Sequence, residues 1–399
     1  MPQYRLNKMI RFSLYLFVVS MMIFSAAAFA QPVESRIRVI TADQAGSNAE
    51  RFTRMFDRSE GWLGADGIYS IPLDGNDDWG SAGKGKGTFF VFSDTMLGIA
   101  DPETYEYRDV KMVNHSAAVL TNYEPSQKME RNDSLRFFYG TNGDGSRSNL
   151  FEKKYWFQDG IVIGKKLYLT GFIPDRRWKP TQIDLLSLPL LSSEILDWEG
   201  VTVTERLPLL VENEQFLIIF GVGILDHTAT DGFVYVYGYR DTLRGGVKHL
   251  VAARVKPESF ADVGQWRFWN GTEWVQDCTV AFREEALLAE RVSTELSVTP
   301  IAKDRFLLVF VQDVMSDRIA YKIGSSPIGP FGKTVVFYQA PEPKTLGSGI
   351  YVYNAKAHPH LSEPNLLLIS YNVNRLGSLP HNTNEYRPRF IELPISEVD

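Results

Sequence analysis

The 399-residue sequence predicts an all-β protein that forms a single five-bladed β-propeller. Short β-branched and aromatic runs alternate with Gly, Asp, Asn and Pro, and an amphipathic helical period is nearly absent. One type of hairpin, with a polar opening, a tight turn and an apolar second strand, recurs five times. This recurrence favours a propeller over the rival all-β arrangement of two consecutive sandwiches.

The composition excludes several other classes of protein. With 44% hydrophobic residues the chain is too apolar to be disordered, and its single Cys cannot build a disulfide scaffold or a thiolate metal cluster. The formal net charge is −6 and no basic tract is present, so we expect no nucleic-acid partner.

The N-terminus has the features of a secretory signal peptide. Three basic residues precede an apolar run over residues 12–29, and Ala28-Phe29-Ala30 supplies an A-x-A cleavage site. We therefore expect residues 1–30 to be removed and residues 31–399 to be the propeller domain of a secreted or periplasmic protein. An N-terminal membrane anchor is the alternative for this run. After cleavage, no attachment to a membrane is expected.

Apolar runs bounded by turn residues indicate the strands. The candidates are residues 67–73, 88–92, 116–121, 160–163, 167–172, 233–239, 250–255, 296–301, 305–311, 319–323, 366–371 and 389–393. The five hairpins open near residues 65, 158, 221, 294 and 356, and a third strand follows each of them. We expect the run 36–40 to pair with the last blade and close the ring, because closure removes exposed strand edges.

Acidic residues recur at one end of these hairpins. In a propeller, the start of the first strand of each blade and the end of the second strand meet on one face, above the central channel. The starts carry Asp66, Asp159, Glu295, Lys356 and His358, and the ends carry Asp94, Asp313 and Asn372. An Asp-Gly step often only shapes a turn, but three acids in register at blade starts favour a site. Glycoside hydrolysis requires such paired carboxyl groups, one as acid and one as base or nucleophile.

Short segments of the chain resemble five-bladed propeller glycoside hydrolases of the arabinanase, β-xylosidase and levansucrase type. These segments are Gly64-Ala65-Asp66-Gly67, Phe92-Ser93-Asp94-Thr95 and residues 326–331, while Ala357-His358-Pro359 is similar to secreted endo-arabinanase-like propellers. The resemblance implies that Asp66 is the base or nucleophile, Asp159 an orienting or tuning group, and Glu295 the acid. The third hairpin departs from the family pattern, because Gly221-Val222-Gly223 offers no acid there. Asp94 is therefore the substitute candidate.

Further residues are candidates for binding the substrate. Trp62 and Trp156 lie just upstream of Asp66 and Asp159 and are candidate platforms for sugar rings, although most Trp residues in a propeller wedge between blades. Lys356, His358, Asn372 and Asp313 complete the predicted binding set, and no residue is predicted as a metal ligand. The resemblance admits a structural Ca²⁺ ion but requires no cofactor.

The sequence thus predicts a secreted, monomeric glycoside hydrolase whose substrate is a polysaccharide or oligosaccharide, with arabinofuranose-containing glycans among the candidates. The main alternative is a non-catalytic propeller that binds a glycan and tolerates amides at Asp66 and Asp94. A polysaccharide lyase is the third hypothesis, and it would leave an unsaturated product that absorbs ultraviolet light.

Overall fold

A computed structural model describes residues 37–39, 47–123, 134–243 and 246–397 of the chain. The predicted signal peptide, residues 1–30, lies outside the described residues. The described residues from 47 to 394 form one compact unit, and residues 37–39 with 395–397 belong to another. In the latter, strand β1 (Ile37–Val39) pairs antiparallel with residues 395–397. The predicted pairing of the N-terminal run with the end of the last strand is confirmed.

The first part of the larger unit contains two sheets. Its strands are β2 (Glu60–Ala65), β3 (Tyr69–Pro72), β4 (Gly87–Phe92), β5 (Thr95–Ala100), β6 (Tyr107–Val113), β7 (Ser116–Thr121) and β8 (Leu135–Phe138). One sheet has the order β3-β4-β7-β8 and the other the order β2-β5-β6. Strand β4 reads Gly-Thr-Phe-Phe-Val-Phe and is buried along its length, as expected of a continuous apolar run in a core.

The second and third parts have the same hairpin plan. The strands of the second are β9 (Gly140–Thr141), β10 (Arg147–Ser148), β11 (Trp156–Ile163), β12 (Lys166–Pro174), β13 (Pro180–Ser192), β14 (Ile195–Leu196) and β15 (Thr202–Thr204). Those of the third are β16 (Leu210–Glu212), β17 (Phe216–Asp226), β18 (Val234–Thr242), β19 (Lys248–Val255), β20 (Arg267–Trp269), β21 (Trp274–Val275) and β22 (Ala289–Val292). Strands β11, β12 and β13 pair in sequence, as do β17, β18 and β19.

The last two sheets are regular meanders. One contains β23 (Leu296–Ala302), β24 (Arg305–Val311), β25 (Arg318–Gly324) and β26 (Val335–Gln339), paired in that order. The other contains β27 (Ile350–Ala357), β28 (Leu366–Arg375) and β29 (Arg389–Glu397), whose residues 389–394 pair with β28. All the predicted strands are present, several of them longer than the sequence indicated.

Helices contribute little to the described residues. They are α1 (Ser47–Met55), α2 (Thr228–Asp231) and α3 (Glu342–Thr345), with 3-10 turns at 257–259, 263–265, 278–282, 284–286, 359–361 and 383–385. Helix α1 was not predicted from the sequence. It buries Ala49, Phe52 and Met55 on one face and packs Phe52 against Phe390. None of the described helices combines the length and the apolar character needed to cross a membrane.

The first strands of the successive sheets lie side by side and build a β-propeller. Strand β3 contacts β11, β11 contacts β17, β17 contacts β23, and β23 contacts β27. The ring closes where His358, just after β27, contacts the Ser70 hydroxyl in β3 (Nδ1 to Oγ, 2.7 Å). In three of these sheets the pairing of the first strand with the second shifts register at one point. The shift lies between Phe157 and Gly160 in β11, between Phe220 and Gly223 in β17, and between Tyr353 and Lys356 in β27. These β-bulges bend the first strands and re-aim side chains near the centre.

Candidate active site

Asp66 and Asp94 lie side by side where the chain passes between the two sheets of the first part. Asp66 follows β2 and Asp94 precedes β5, and the two strands are held together at this point by backbone hydrogen bonds. The Asp66 N–H donates to the Asp94 carbonyl (3.2 Å), and the Ser93 N–H donates to the Asp66 carbonyl (2.9 Å). The predicted convergence of a strand start and a strand end is therefore found for this pair.

Gly67 explains why the chain can turn here. Its φ is +61°, in the left-handed region that glycine adopts without penalty. A Cβ at this position would lie 2.7 Å from Ser93 Oγ and 3.3 Å from Glu295 Oε1. The second distance also shows that the Glu295 carboxyl group lies beside the Asp66-Gly67 step. We call Asp66, Asp94 and Glu295 the carboxyl cluster.

Asp66 is held by tyrosine hydroxyls. Tyr353 in β27 donates to Asp66 Oδ2 (2.9 Å), and Tyr386 donates to the backbone carbonyl of Asp94 (3.1 Å). Burial, together with the negative charges of Asp94 and Glu295, raises the pKa of Asp66 well above its usual value, although both tyrosines favour the ionised form. Asp66 is thus a carboxyl group that retains its proton to unusually high pH.

Asp94 connects the carboxyl cluster to the second sheet. Its Oδ1 accepts hydrogen bonds from Trp156 Nε1 (2.9 Å) and Asn114 Nδ2 (3.4 Å). Burial raises the pKa of Asp94 to about 6 in spite of these two donors. Trp156 thereby enters the site through its indole N–H, a contact that differs from the predicted stacking role.

Glu295 is paired with Lys356, the lysine that the sequence analysis placed in the same face. The ammonium group contacts Glu295 Oε2 and lies 4.2 Å from the centroid of the Tyr69 ring. Burial raises the pKa of Glu295, whereas Lys356 and a hydrogen bond from Tyr69 oppose this shift. Lys356 is only 2% exposed, so little solvent screens this ion pair.

Asp159 lies near the cluster but is only half-buried and is bound differently. Its Oδ1 accepts from the Gly160 N–H (2.8 Å), and its Oδ2 accepts from the Ile224 N–H in β17 (2.7 Å). Burial raises the pKa of Asp159 to about 7, and the two backbone donors counteract that shift. The side chain therefore joins the first strands of the second and third sheets.

Two other predicted residues, Trp62 and His358, have places that differ from the expectation. Trp62 is 1% exposed and stacks on Phe137 (4.7 Å between centroids), so it offers no face to a sugar and is a core residue. His358 is buried and contacts Ser70 and Ser370, each at 2.7 Å, and burial lowers its pKa well below the usual value. It is a neutral group that ties β28 to β3.

Asn372 and Asp313 differ in their distance from the cluster. Asn372 Nδ2 donates to the Ala65 carbonyl (3.0 Å), next to Asp66, and thereby links the last sheet to the first. Asp313 lies in the turn after β24 and pairs with Arg291 (2.6 Å) and Arg318 (2.9 Å). No hydrogen bond or ion pair among the described residues joins Asp313 to the carboxyl cluster.

Tyr353, Tyr386 and Trp178 were missed by the sequence analysis. Tyr353 and Tyr386 are separated from Asp66 by about three hundred residues, and no local motif marks them.

Within the described ranges, no group of three or more His, Cys, Asp or Glu side chains is arranged to hold a metal ion.

The fold and the site define a β-propeller with ionisable groups buried at the centre. Residues 49–394 match the family described as "Domain of unknown function (DUF5005)", and the chain belongs to that family. A comparison with curated proteins finds no match.

Solved structures are similar in fold. A candidate hydrolase from Bacteroides ovatus ATCC 8483 has a TM-score of 0.65 at 17% identity, covering 91% of this chain and 93% of that chain. A GH43_1 enzyme from Xanthomonas citri has a TM-score of 0.41 at 13% identity, covering 86% and 93%. An exo-β-1,3-galactanase from Phanerochaete chrysosporium has a TM-score of 0.42 at 9% identity, covering 90% and 64%. The match to the candidate hydrolase from Bacteroides ovatus supports the fold alone, and activity has to be argued from the chemistry of the site.

Proposed function

We propose that the protein is a glycoside hydrolase acting on a polysaccharide or oligosaccharide, and that the sheets containing β3, β11, β17, β23 and β27 are its five blades. The observation that carries the proposal is the adjacency of two carboxyl groups, half-buried Asp66 and buried Glu295, in contrasting surroundings. A protonated carboxyl group beside an ionised one is the pair that glycosidic cleavage needs. An arabinofuranose-containing substrate, export through residues 1–30 and a monomeric, cofactor-independent enzyme remain parts of this proposal.

The surroundings favour Asp66 as the acid and Glu295 as the base or nucleophile. Asp66 is desolvated and faces two like charges, which keeps its proton in place. Glu295 is also desolvated, but the Lys356 ammonium beside it stabilises the negative charge. This order reverses the roles that the resemblance implies for these two residues. Asp94 raises the proton affinity of Asp66, and Asp159 has a structural and tuning role.

The test is product release from arabinan, xylan, galactan and fructan by native protein and by Asp66→Asn and Glu295→Gln. We expect release from at least one glycan and a loss of about 10²–10⁴-fold in each variant. The control is Asp304→Asn, an exposed carboxyl-to-amide change in the turn between β23 and β24, where φ is +55° and Asn is tolerated. This control should retain native activity.

A nitrophenyl glycoside, whose nitrophenolate leaving group is a weak base, separates the two roles. Its leaving group needs no proton, so Asp66→Asn should recover much of the native rate on this substrate and Glu295→Gln should not. Recovery by Glu295→Gln alone would instead support the order implied by the resemblance. Binding of a glycan without release of product, by native protein and variants alike, would overturn hydrolysis and favour a glycan-binding propeller. A product with ultraviolet absorbance would identify a lyase.

A further inference from the structure

The loop between β12 and β13 presents an exposed tryptophan near the carboxyl cluster. Trp178 is 64% exposed, which is unusual for the largest side chain. One of its faces stacks on Trp156, with ring centroids 5.4 Å apart and planes inclined by 9°. Since that face is covered, the exposed surface is the opposite face of the ring. An aromatic ring held flat in this way is a ready platform for the C–H groups of a sugar.

The loop holds this conformation through its own hydrogen bonds. Asp175 Oδ1 accepts from the Arg177 N–H (2.7 Å) and the Lys179 N–H (2.9 Å), and the Trp178 N–H donates to the Asp175 carbonyl (3.1 Å). Trp178 itself has φ +66°, a conformation that is strained for a bulky residue and is retained only where the surroundings enforce it. The ring is therefore presented in a fixed orientation before any ligand arrives.

Trp156 connects the exposed ring to the acids. Its indole Nε1 donates to Asp94 Oδ1 (2.9 Å), and Asp94 is the immediate neighbour of Asp66. Trp156 also pairs with Phe172 near the end of β12, so the loop that follows β12 begins at the same end of the strands as Trp156. Trp178, Trp156, Asp94 and Asp66 form one continuous path from the surface to the buried carboxyl groups.

We propose that Trp178 is the stacking platform for a sugar unit adjoining the bond that the carboxyl cluster cleaves. This inference rests on the proposed function, because it assumes that the ligand is a glycan of at least two units. It makes Trp178 a specificity-determining residue for oligosaccharides over monosaccharide glycosides. The loop from Pro174 to Pro180 then selects substrate length, and the carboxyl cluster performs the chemistry.

The experiment compares native protein with Trp178→Ala, Trp178→Phe and Leu191→Ala. Leu191 is a matched control, since it is 68% exposed and lies near the other end of β13. The probes are xylo-, arabino- and galacto-oligosaccharides from disaccharide to hexasaccharide, measured by calorimetric binding and by turnover. Trp178→Ala should weaken binding and raise KM about tenfold on the longer members, with kcat little changed. Trp178→Phe should retain most of the affinity, and Leu191→Ala should behave as native.

Tryptophan fluorescence supplies a readout that a merely structural role would not move. Glycan binding should shift the emission of native protein and of Leu191→Ala, and this shift should be much smaller in Trp178→Phe. Equal binding by Trp178→Ala and Leu191→Ala would overturn the inference. If native protein cleaves a glycan and Trp178→Ala has no effect, the inference fails and the hydrolase stands. If native protein binds without cleavage and Trp178→Ala loses binding, sugar stacking on Trp178 stands, whereas the hydrolase and the place of Trp178 beside a cleaved bond both fail. No binding to any probe would overturn both.

Discussion

Two Asp-Gly steps belong to first strands of the propeller, one just before β3 and one at the bulge within β11, and their carboxyl groups are held in different ways. In Asp66-Gly67 the carboxyl group receives a hydrogen bond from the Tyr353 hydroxyl. In Asp159-Gly160 both carboxyl oxygens receive backbone N–H groups, one of them from the neighbouring sheet. The same dipeptide therefore has two roles. The Asp66 carboxyl group is bound by a side chain, whereas the Asp159 carboxyl group links two neighbouring strands by hydrogen bonds.

The difference determines what each carboxyl group can do. A hydroxyl can rotate and either donate to a carboxylate or accept from a carboxylic acid, so Asp66 can gain or lose a proton while its partner remains. A backbone N–H only donates, so protonation of Asp159 weakens the contacts that join β11 to β17. Asp66 can therefore exchange a proton and keep its partner, whereas Asp159 has to remain ionised to keep its contacts between strands.

Asp159→Ala should have the largest effect on stability. It leaves the Gly160 and Ile224 N–H groups without their acceptor, and hydrogen bonds to a charged group contribute about 1.5–3 kcal/mol each. We expect the free energy of unfolding to fall by roughly 2–4 kcal/mol, measured by urea denaturation. Asp66→Asn should change it little, because the neutral amide replaces a carboxyl group that already retains its proton beside Asp94 and Glu295. An equal loss of unfolding free energy in both variants would contradict the different roles given to Asp66 and Asp159.

Asp94 should make stability depend on pH in a defined sense. Its folded-state pKa, about 6, lies above the ordinary 3.8, so the folded protein binds this proton more tightly than the unfolded chain. The contribution is therefore complete below about pH 4 and is lost as the pH rises towards 6, by about 3 kcal/mol at most. Asp94→Asn should reduce the difference in unfolding free energy between pH 4 and pH 7.

A control for this pH dependence is Asp101→Asn. Backbone N–H groups of Thr104 and Glu103 lower the pKa of Asp101 to about 2, so its contribution is lost only as the pH falls towards that value. The variant should leave the difference between pH 4 and pH 7 nearly native. If Asp94→Asn keeps the native difference as well, Asp94 is not the group that titrates in this window.

The strands and the Asp66–Asp94 pair could be predicted from sequence because their signals are local. Apolar runs such as β4 are continuous, and hairpin geometry alone brings a strand start to a strand end. The missing acid in the third hairpin also has a visible cause. Gly221 has φ +107°, and a Cβ there would lie 2.8 Å from Thr170 Oγ1, so the position does not accommodate a side chain.

The remaining features depend on contacts between distant segments. The partner of Asp66 in β27, Tyr353, is one of 18 tyrosines, and no spacing singles it out. The two predicted tryptophan platforms show the same limit, since burial places Trp62 in the core while Trp156 supports the exposed Trp178. Helix α1 was overlooked because its apolar face spans few residues and its partner Phe390 is at the other end of the chain.

Tyr353→Phe should give the smallest effect and the most specific one. The phenol hydroxyl favours ionised Asp66, so its removal should raise the pKa of that carboxyl group further. If Asp66 is the acid, activity falls at high pH as Asp66 loses its proton. The variant should shift this high-pH limb of the pH–activity profile to higher pH by about one unit. Tyr351→Phe is the matched control, because the Tyr351 ring contacts the Tyr353 ring at a tilt of 38° (5.1 Å between centroids). This change removes a neighbouring hydroxyl that does not donate to Asp66. A limb that moves downward, or equally in both variants, would show that Tyr353 does not set the proton affinity of Asp66.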